Sequence, residues 1–382
     1  MWTNLFSLGI VCLIMYIGEF ISIRSSGLIP QMLIVTLLFL IGFWTILPHD
    51  ILDKSGIMIL SKIIFSIILI DVGTSLDLKE IFKNRQVIRL SSISLLSIIL
   101  TALIIGGICY NMRVSLSTIP TLTGAGIGAM LMNAAALKAN QPYYGAVAMT
   151  VFVSHTFISF PFASYFLKKE AKAKLVTLRA SKDITLTQPK ARAKQMTFTP
   201  YRTPTFYLAT FFILAAAVEF IALKTHLNSA ILQVLTGILA RKIGLLQKNS
   251  LFKTSSSGLL MIALFASFMQ SFSEISFATL LKLLAIAIPL NLSAIGVILV
   301  ITKRLANQQF SWAMSAAIAM NSFLGFPFNF SLTREAIQAA TAIAEEQEAL
   351  SEQLLPHMIL ASTFSVSLMT PFIASICIKL LY

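Results

Sequence analysis

The sequence predicts an all-α integral membrane protein. It should consist of two inverted repeats, each with five transmembrane helices plus one re-entrant or broken helical hairpin. Three observations point there. The 382 residues are 57% hydrophobic and 12% charged, with a mean hydropathy of +0.85, a makeup foreign to soluble domains. Apolar runs long enough to cross a bilayer recur along the chain, and in each half a glycine-broken stretch precedes the last run. The basic residues gather in short connections between the runs, where they set orientation.

A bilayer core about 30 Å thick takes about 20 apolar helical residues to cross. Runs of this kind lie at about 5–23, 31–48, 57–76, 88–109 and 144–167, and again at about 205–223, 229–246, 257–275, 278–302 and 357–381. The first has no basic residue before it and is followed by Arg24 in place of a small-residue cleavage site, so it reads as a retained span. Residues 120–140 depart from the pattern. Gly124, Gly126 and Gly128 fall close together ahead of Ala134, Ala135 and Ala136, and glycine at that density weakens a helix. In lipid, an interrupted backbone is tolerated only where protein or a water-filled cavity satisfies its polar groups. Residues 311–336 break in the same manner at Gly325, Phe326 and Pro327. Each break follows small residues and precedes a segment with an asparagine suited to burial, Asn133 in one and Asn329 in the other.

Orientation follows from lysine and arginine. Residues 168–204 mix basic residues with Thr, Pro and Gln and join the halves, so the expected organisation is a first repeat at 1–167, a basic cytoplasmic linker at 168–204 and a second repeat at 205–382. With both broken stretches re-entrant, the two termini lie outside, and Arg24, the cluster from Lys79 to Arg89, Arg241 and Lys303 all face the cytoplasm. Counting the stretches as full crossings would put that cluster on the outer side, against the rule. Five crossings per half is an odd number, so the halves run in opposite senses. Self-similarity supports the duplication: Glu19-Phe20-Ile21 answers Glu219-Phe220-Ile221, and Ser159-Phe160-Pro161-Phe162 answers Met369-Thr370-Pro371-Phe372.

A helix that ends inside the membrane turns free N–H groups and the positive end of its dipole toward a carboxylate. Two such tips from opposite sides would share one solute. The expected solute-binding residues are Thr123, Gly124, Gly126 and Asn133 in the first stretch and Asn321, Ser322, Gly325 and Asn329 in the second. The plainer reading is that the glycines only let helices pack closely. Asp71 and Thr74, with the matching Gln270, Ser273 and Glu274, offer oxygen ligands for sodium or a proton site; alternatively Asp71 and Glu274 are simply hydrated at opposite interfaces. His155, between Ser154 and Thr156 in an apolar run, is expected to be a satisfied buried histidine, the alternative being a group that titrates near neutral pH. Residues 333–354 read as one solvated amphipathic helix.

Several function classes fall away. The net charge of +14 does not indicate nucleic acid, because the charge sits in loops. Cys12, Cys109 and Cys377 lie in apolar runs without metal-ligand spacing. No HExxH, GxSxG, Walker or paired acidic motif occurs, which argues against an enzyme and against a self-contained ATP-driven pump.

With these features in place, the chain resembles bacterial secondary carboxylate transporters of the sodium/glutamate symporter type, and more distantly the 2-hydroxycarboxylate and bile-acid carriers. The tip Thr123-Gly124-Ala125-Gly126-Ile127-Gly128 is similar to the glycine-rich hairpin motif of those families, with residues 321–329 as its counterpart. The first tip lacks a paired Gly-Gly, and the second has only Gly325 before Phe326-Pro327. The resemblance implies an elevator-like mechanism in the cytoplasmic (inner) membrane, with a core domain holding both hairpins sliding against a homodimeric scaffold. No resident cofactor is implied, and sodium or a proton is the coupling ion. The expected function is sodium-coupled symport of a small organic anion such as glutamate or another carboxylate. A sodium/proton antiporter of the same fold and a non-transporting membrane sensor are the alternatives. Neither tip holds an arginine to clamp a second carboxylate, so a monocarboxylate or neutral solute stays open.

Overall fold

The structure is a computed structural model that describes residues 3–25, 29–75, 84–180, 202–225, 229–247, 250–254, 257–270, 272–273, 276–307, 309–325 and 328–382. Among the described residues it is all-helical, without a strand. Seven of its helical segments are long and apolar enough to cross a membrane, the makeup of a multi-pass helical membrane protein.

The first half contains α1 (Asn4–Arg24), α2 (Gln31–Thr45), α3 (Ile57–Ser75), α4 (Arg85–Cys109), α5 (Met112–Lys138), α6 (Pro142–Phe157) and α7 (Ser159–Ala180). The second half contains α8 (Pro204–Thr225), α9 (Ser229–Lys242), α10 (Ser257–Gln270), α11 (Phe277–Leu305), α12 (Trp312–Leu324), α13 (Phe328–Ala340), α14 (Ala344–Ser362) and α15 (Thr370–Leu381). The helices follow one another in the same order in both halves, at an offset of about two hundred residues. Two starting caps repeat as well. The Asn111 side chain accepts from Val114 N before α5, and the Ser311 side chain accepts from Met314 N before α12, each satisfying an N–H that the first helical turn leaves free. Among the described residues two π segments occur, one within α4 at Ala102–Gly106 and one between α14 and α15 at Thr363–Met369. The first is closed by Ser115 Oγ, which donates to the Ala102 carbonyl at 2.5 Å.

Composition gave the apolar runs, and the helices fall on them closely. Three expectations change, the first being that the run expected at about 144–167 is broken at Ile158 between α6 and α7. α7 continues through the basic residues beyond 168 as far as Ala180; residues 181–201 lie outside the described residues. The single helix expected over 333–354 is two, because the chain leaves α13 at Ala340 and starts α14 at Ala344. Thr341 sits in the gap and donates through Oγ1 to Glu346, whose carboxylate also takes a two-pronged hydrogen bond from Arg179 at 2.8 and 2.9 Å. Glu346 is therefore buried and paired, while Glu345, Glu348 and Glu352 are exposed.

The chain divides into two compact units, one of Met1–Val11, Asp50–Asn84 and Asp183–Ser267, the other of Cys12–His49, Arg85–Lys182 and Phe268–Tyr382. The first is built on α3 and α9, which cross at Gly73 and Gly237. A Cβ on Gly73 would overlap the Val234 carbonyl, and one on Gly237 the Ile70 carbonyl. Small residues let backbones approach this closely in membrane helices. Gln233 Nε2 donates to Ser66 Oγ at 2.8 Å and Arg241 to the Thr74 carbonyl at 3.0 Å across the same crossing. The second unit holds both broken stretches.

Candidate functional site

By length α5 is a membrane-crossing helix, but its backbone turns back at Gly124 (φ −146°, ψ 18°) and Ala125 (φ 47°, ψ −131°). The reversal shows in what it brings together. A Cβ on Gly128 would overlap the Pro120 carbonyl, whereas residues eight apart in a continuous helix are separated by about 12 Å. Each arm of the hairpin, 112–123 and 126–138, is about 18–20 Å long and so too short to cross a bilayer core. The tip rests on Thr370, where a Cβ on Gly124 would collide with the side chain. Thr370 Oγ1 lies 3.3 Å from the Thr123 carbonyl and 3.1 Å from that of Ser365, one hydroxyl shared between two acceptors.

The second break gives a hairpin with splayed arms. α12 ends at Gly325, which has φ 67° and ψ 166°, and α13 begins at Phe328; Phe326 and Pro327 lie outside the described residues. Both arms run along α7. Near the tip, Phe328 packs on Phe160 with ring centroids 5.3 Å apart. Farther along α7, Trp312 of the first arm meets Phe166 at 5.3 Å, and Glu335 of the second arm stands within electrostatic reach of Lys168. Ser311 at the base donates to Glu170. The first hairpin is based at the other end of the α6–α7 column, beside the start of α6, where Asn133 lies so close to Gly145 that a Cβ there would overlap its Oδ1. The two hairpins thus approach from opposite ends, and their tips meet. A Cβ on Gly325 would stand 3.4 Å from that of Ala125, in ordinary contact, and equally near Val366 of the π segment.

Of the expected solute residues, Thr123, Gly124, Gly126, Asn321, Ser322 and Gly325 gather at or next to this meeting point, all buried. Asn133 does not, being half-buried near the base of the first hairpin. Asn329 is buried but fully engaged. Its Nδ2 donates to the Met358 carbonyl at 3.0 Å, its Oδ1 accepts from Phe330 N at 2.8 Å, and its own N–H goes to the Gly325 carbonyl. Asn321 is less committed: Nδ2 reaches the Ala317 carbonyl at 3.3 Å and Met358 Sδ at 3.4 Å, while the buried Oδ1 has no partner.

The expected ion-coupling residues divide between the units. Asp71 is buried, and its Oδ1 accepts from Leu251 N at 3.1 Å and from Thr74 Oγ1 at 3.4 Å, which ties it to the turn after α9. In the other unit, Gln270 Nε2 reaches Ser273 Oγ at 3.4 Å and leaves its Oε1 buried without a partner. The Ser273 carbonyl meets His49 Nδ1, and neighbouring Phe272 packs on Phe152 at 5.7 Å, next to the hairpin tips. Glu274 lies outside the described residues.

Sequence reasoning did not single out Asn291. From the middle of α11, its Nδ2 donates to Ser154 Oγ at 2.5 Å and its Oδ1 accepts from Ser159 Oγ at 3.2 Å, bracketing the break between α6 and α7 at Ile158. A carboxamide alone in so long an apolar run was the available signal. His155 is buried as expected but is not satisfied. Neither ring nitrogen makes a hydrogen bond of normal geometry, although the Phe323 backbone lies near enough to act on the ring. No protein-family model matches the chain, and comparison with curated proteins finds no match.

Proposed function

We propose that the protein is a secondary active transporter built from two inverted repeats of five transmembrane helices and a re-entrant hairpin, and that it moves a small organic anion by an elevator-like mechanism. One observation carries the reading. Two buried helix breaks face each other from opposite ends of one unit, at glycine-close range. Non-helical backbone at that depth needs a reason, and a solute held at the meeting point of half-helices supplies one. The unit holding both hairpins would be the moving core, with Thr123, Gly124, Gly126, Asn321, Ser322 and Gly325 around the solute. Sodium is the proposed coupling ion; within the hairpin-bearing unit Gln270 Oε1 is a proposed oxygen donor, and Asp71 with Thr74 in the other unit is a separate candidate. A homodimer in the cytoplasmic membrane completes the proposal.

Uptake of labelled glutamate, and then of a panel of small carboxylates, into proteoliposomes tests it. Accumulation that requires an inward sodium gradient is the expected result. A pH change on adding sodium, with no accumulation of any anion, would replace symport by sodium/proton antiport.

A further inference from the structure

We propose that His155 is a proton-carrying group of this transporter, taking up one proton as the solute is bound and giving it up as the solute leaves. The inference rests on the transport reading above and adds a second coupled ion to it.

The argument begins with elimination. Among the described residues, the buried ionisable side chains of the hairpin-bearing unit include Glu170, Glu346 and His155. Ser311 donates to Glu170, and Arg179 and Thr341 donate to Glu346. Glu335 of α13 accepts from Ser22 Oγ, the Gln31 N–H and Ser331 Oγ. His155 alone among these has no hydrogen bond of normal geometry at either nitrogen, although the Phe323 backbone lies near the ring. A buried polar atom left unpaired destabilises the fold, and such groups persist in proteins where water, an ion or the working cycle uses them. Imidazole has two such atoms. In its neutral form one ring nitrogen offers a lone pair to a proton, and the same nitrogen returns that proton without any other bond changing.

Position ties this chemistry to the hairpins. The His155 ring meets the ring of Phe323 edge-on at 5.3 Å and that of Phe152 at 6.5 Å. Phe323 stands two residues before Gly325, at the tip of the second hairpin. The side chain that covers the imidazole therefore belongs to an element that must move if the tips part, and its displacement opens a path from water to the ring. A state with the ring covered and one with it open differ in proton affinity, and proton binding biases the equilibrium between them.

Little else competes for this role. Arg113 and Lys138 of α5 and Lys282, Lys303 and Arg304 of α11 are exposed near helix ends, and α2 and α12 carry no charged residue. The basic residues of α7 begin at Lys168, along the second hairpin's arms. His49, behind Phe272, is held by the Ser273 carbonyl.

The test uses the full chain in proteoliposomes with a trapped pH dye and a labelled carboxylate that the wild type accumulates. Wild type is expected to move protons with the solute and to show uptake that varies with pH; His155→Gln, checked for monodispersity and melting, should lose the proton movement and show a flat pH profile. Wild-type-like proton movement in His155→Gln, or wild-type uptake with no proton movement, overturns the proposal and leaves the transport reading standing. Should His155→Gln aggregate, Phe323→Ala decides. Proton movement without solute, above the wild-type level, supports the role, and an unchanged level overturns it. Failure of the wild type to accumulate any carboxylate removes the transport reading and this inference together.

Discussion

The two hairpins solve one problem in different ways. Each must turn a helix back inside a buried part of the protein. The first relies mainly on close backbone packing. Its arms approach until Gly128 touches the Pro120 carbonyl, and its tip is held by one threonine hydroxyl from the neighbouring helix. The second splays its arms along α7 and relies on side chains: Asn329 closes the start of α13 and binds the Met358 carbonyl, while Glu335 holds Ser22 and Gln31. Close packing leaves no room for a side chain, and side-chain bonding leaves room but needs specific atoms. The first hairpin should therefore fail on gain of volume, and the second on loss of a polar group.

The largest expected effect follows from adding volume to the first. In Gly128→Ala the new methyl meets a backbone carbonyl that cannot swing aside, so the loss should reach or pass the upper end of the about 1–3 kcal/mol typical of overpacking. Thermal melting in detergent would show it, and a melting temperature equal to wild type would mean that the arms are not in contact. Next comes removal of polar atoms from the second. Asn329→Ala leaves the Met358 carbonyl and the Phe330 N–H without their buried partner, a loss of about 2–3 kcal/mol. Here a near-neutral result would show that side-chain bonding does not hold this hairpin.

The smallest effects sharpen the contrast at the tips. A Cβ on Gly325 would make only ordinary contacts, but the backbone conformation is one reserved for glycine, so Gly325→Ala should cost about 1–3 kcal/mol through strain. Ala125 has φ 47° without being glycine, in a turn conformation that glycine favours. Ala125→Gly is expected to raise the melting temperature slightly or leave it unchanged. A clear fall would mean that the Ala125 methyl, in contact range of Gly325, matters more to the meeting of the tips than the strain it causes.

Much of this was legible in order along the chain. The apolar runs at about 31–48 and 57–76 became α2 and α3, because crossing a bilayer requires a local excess of apolar residues that composition reveals directly. The breaks were legible at Gly124 and Gly325 for the same reason: a lost helix propensity is written in the residues that lose it. Asn133 and Asn329 looked equivalent, yet one lies near a hairpin base and the other is locked onto Met358. Nothing in the local sequence separates them, since a carboxamide's role depends on which carbonyl faces it.

The sequence by itself determined that the chain is helical, that it is apolar enough to lie in a membrane and that it is interrupted at two matching places, because hydropathy and glycine content act within a few residues. Only the tertiary structure decided which way each interruption turns, that the two tips meet at Ala125 and Gly325, that Asn291 bridges Ser154 and Ser159, and that neither ring nitrogen of His155 has a hydrogen bond of normal geometry. Each of these depends on atoms brought together from distant parts of the chain. A buried polar group is satisfied or orphaned by its neighbours in space, and the residues beside it in sequence do not name them.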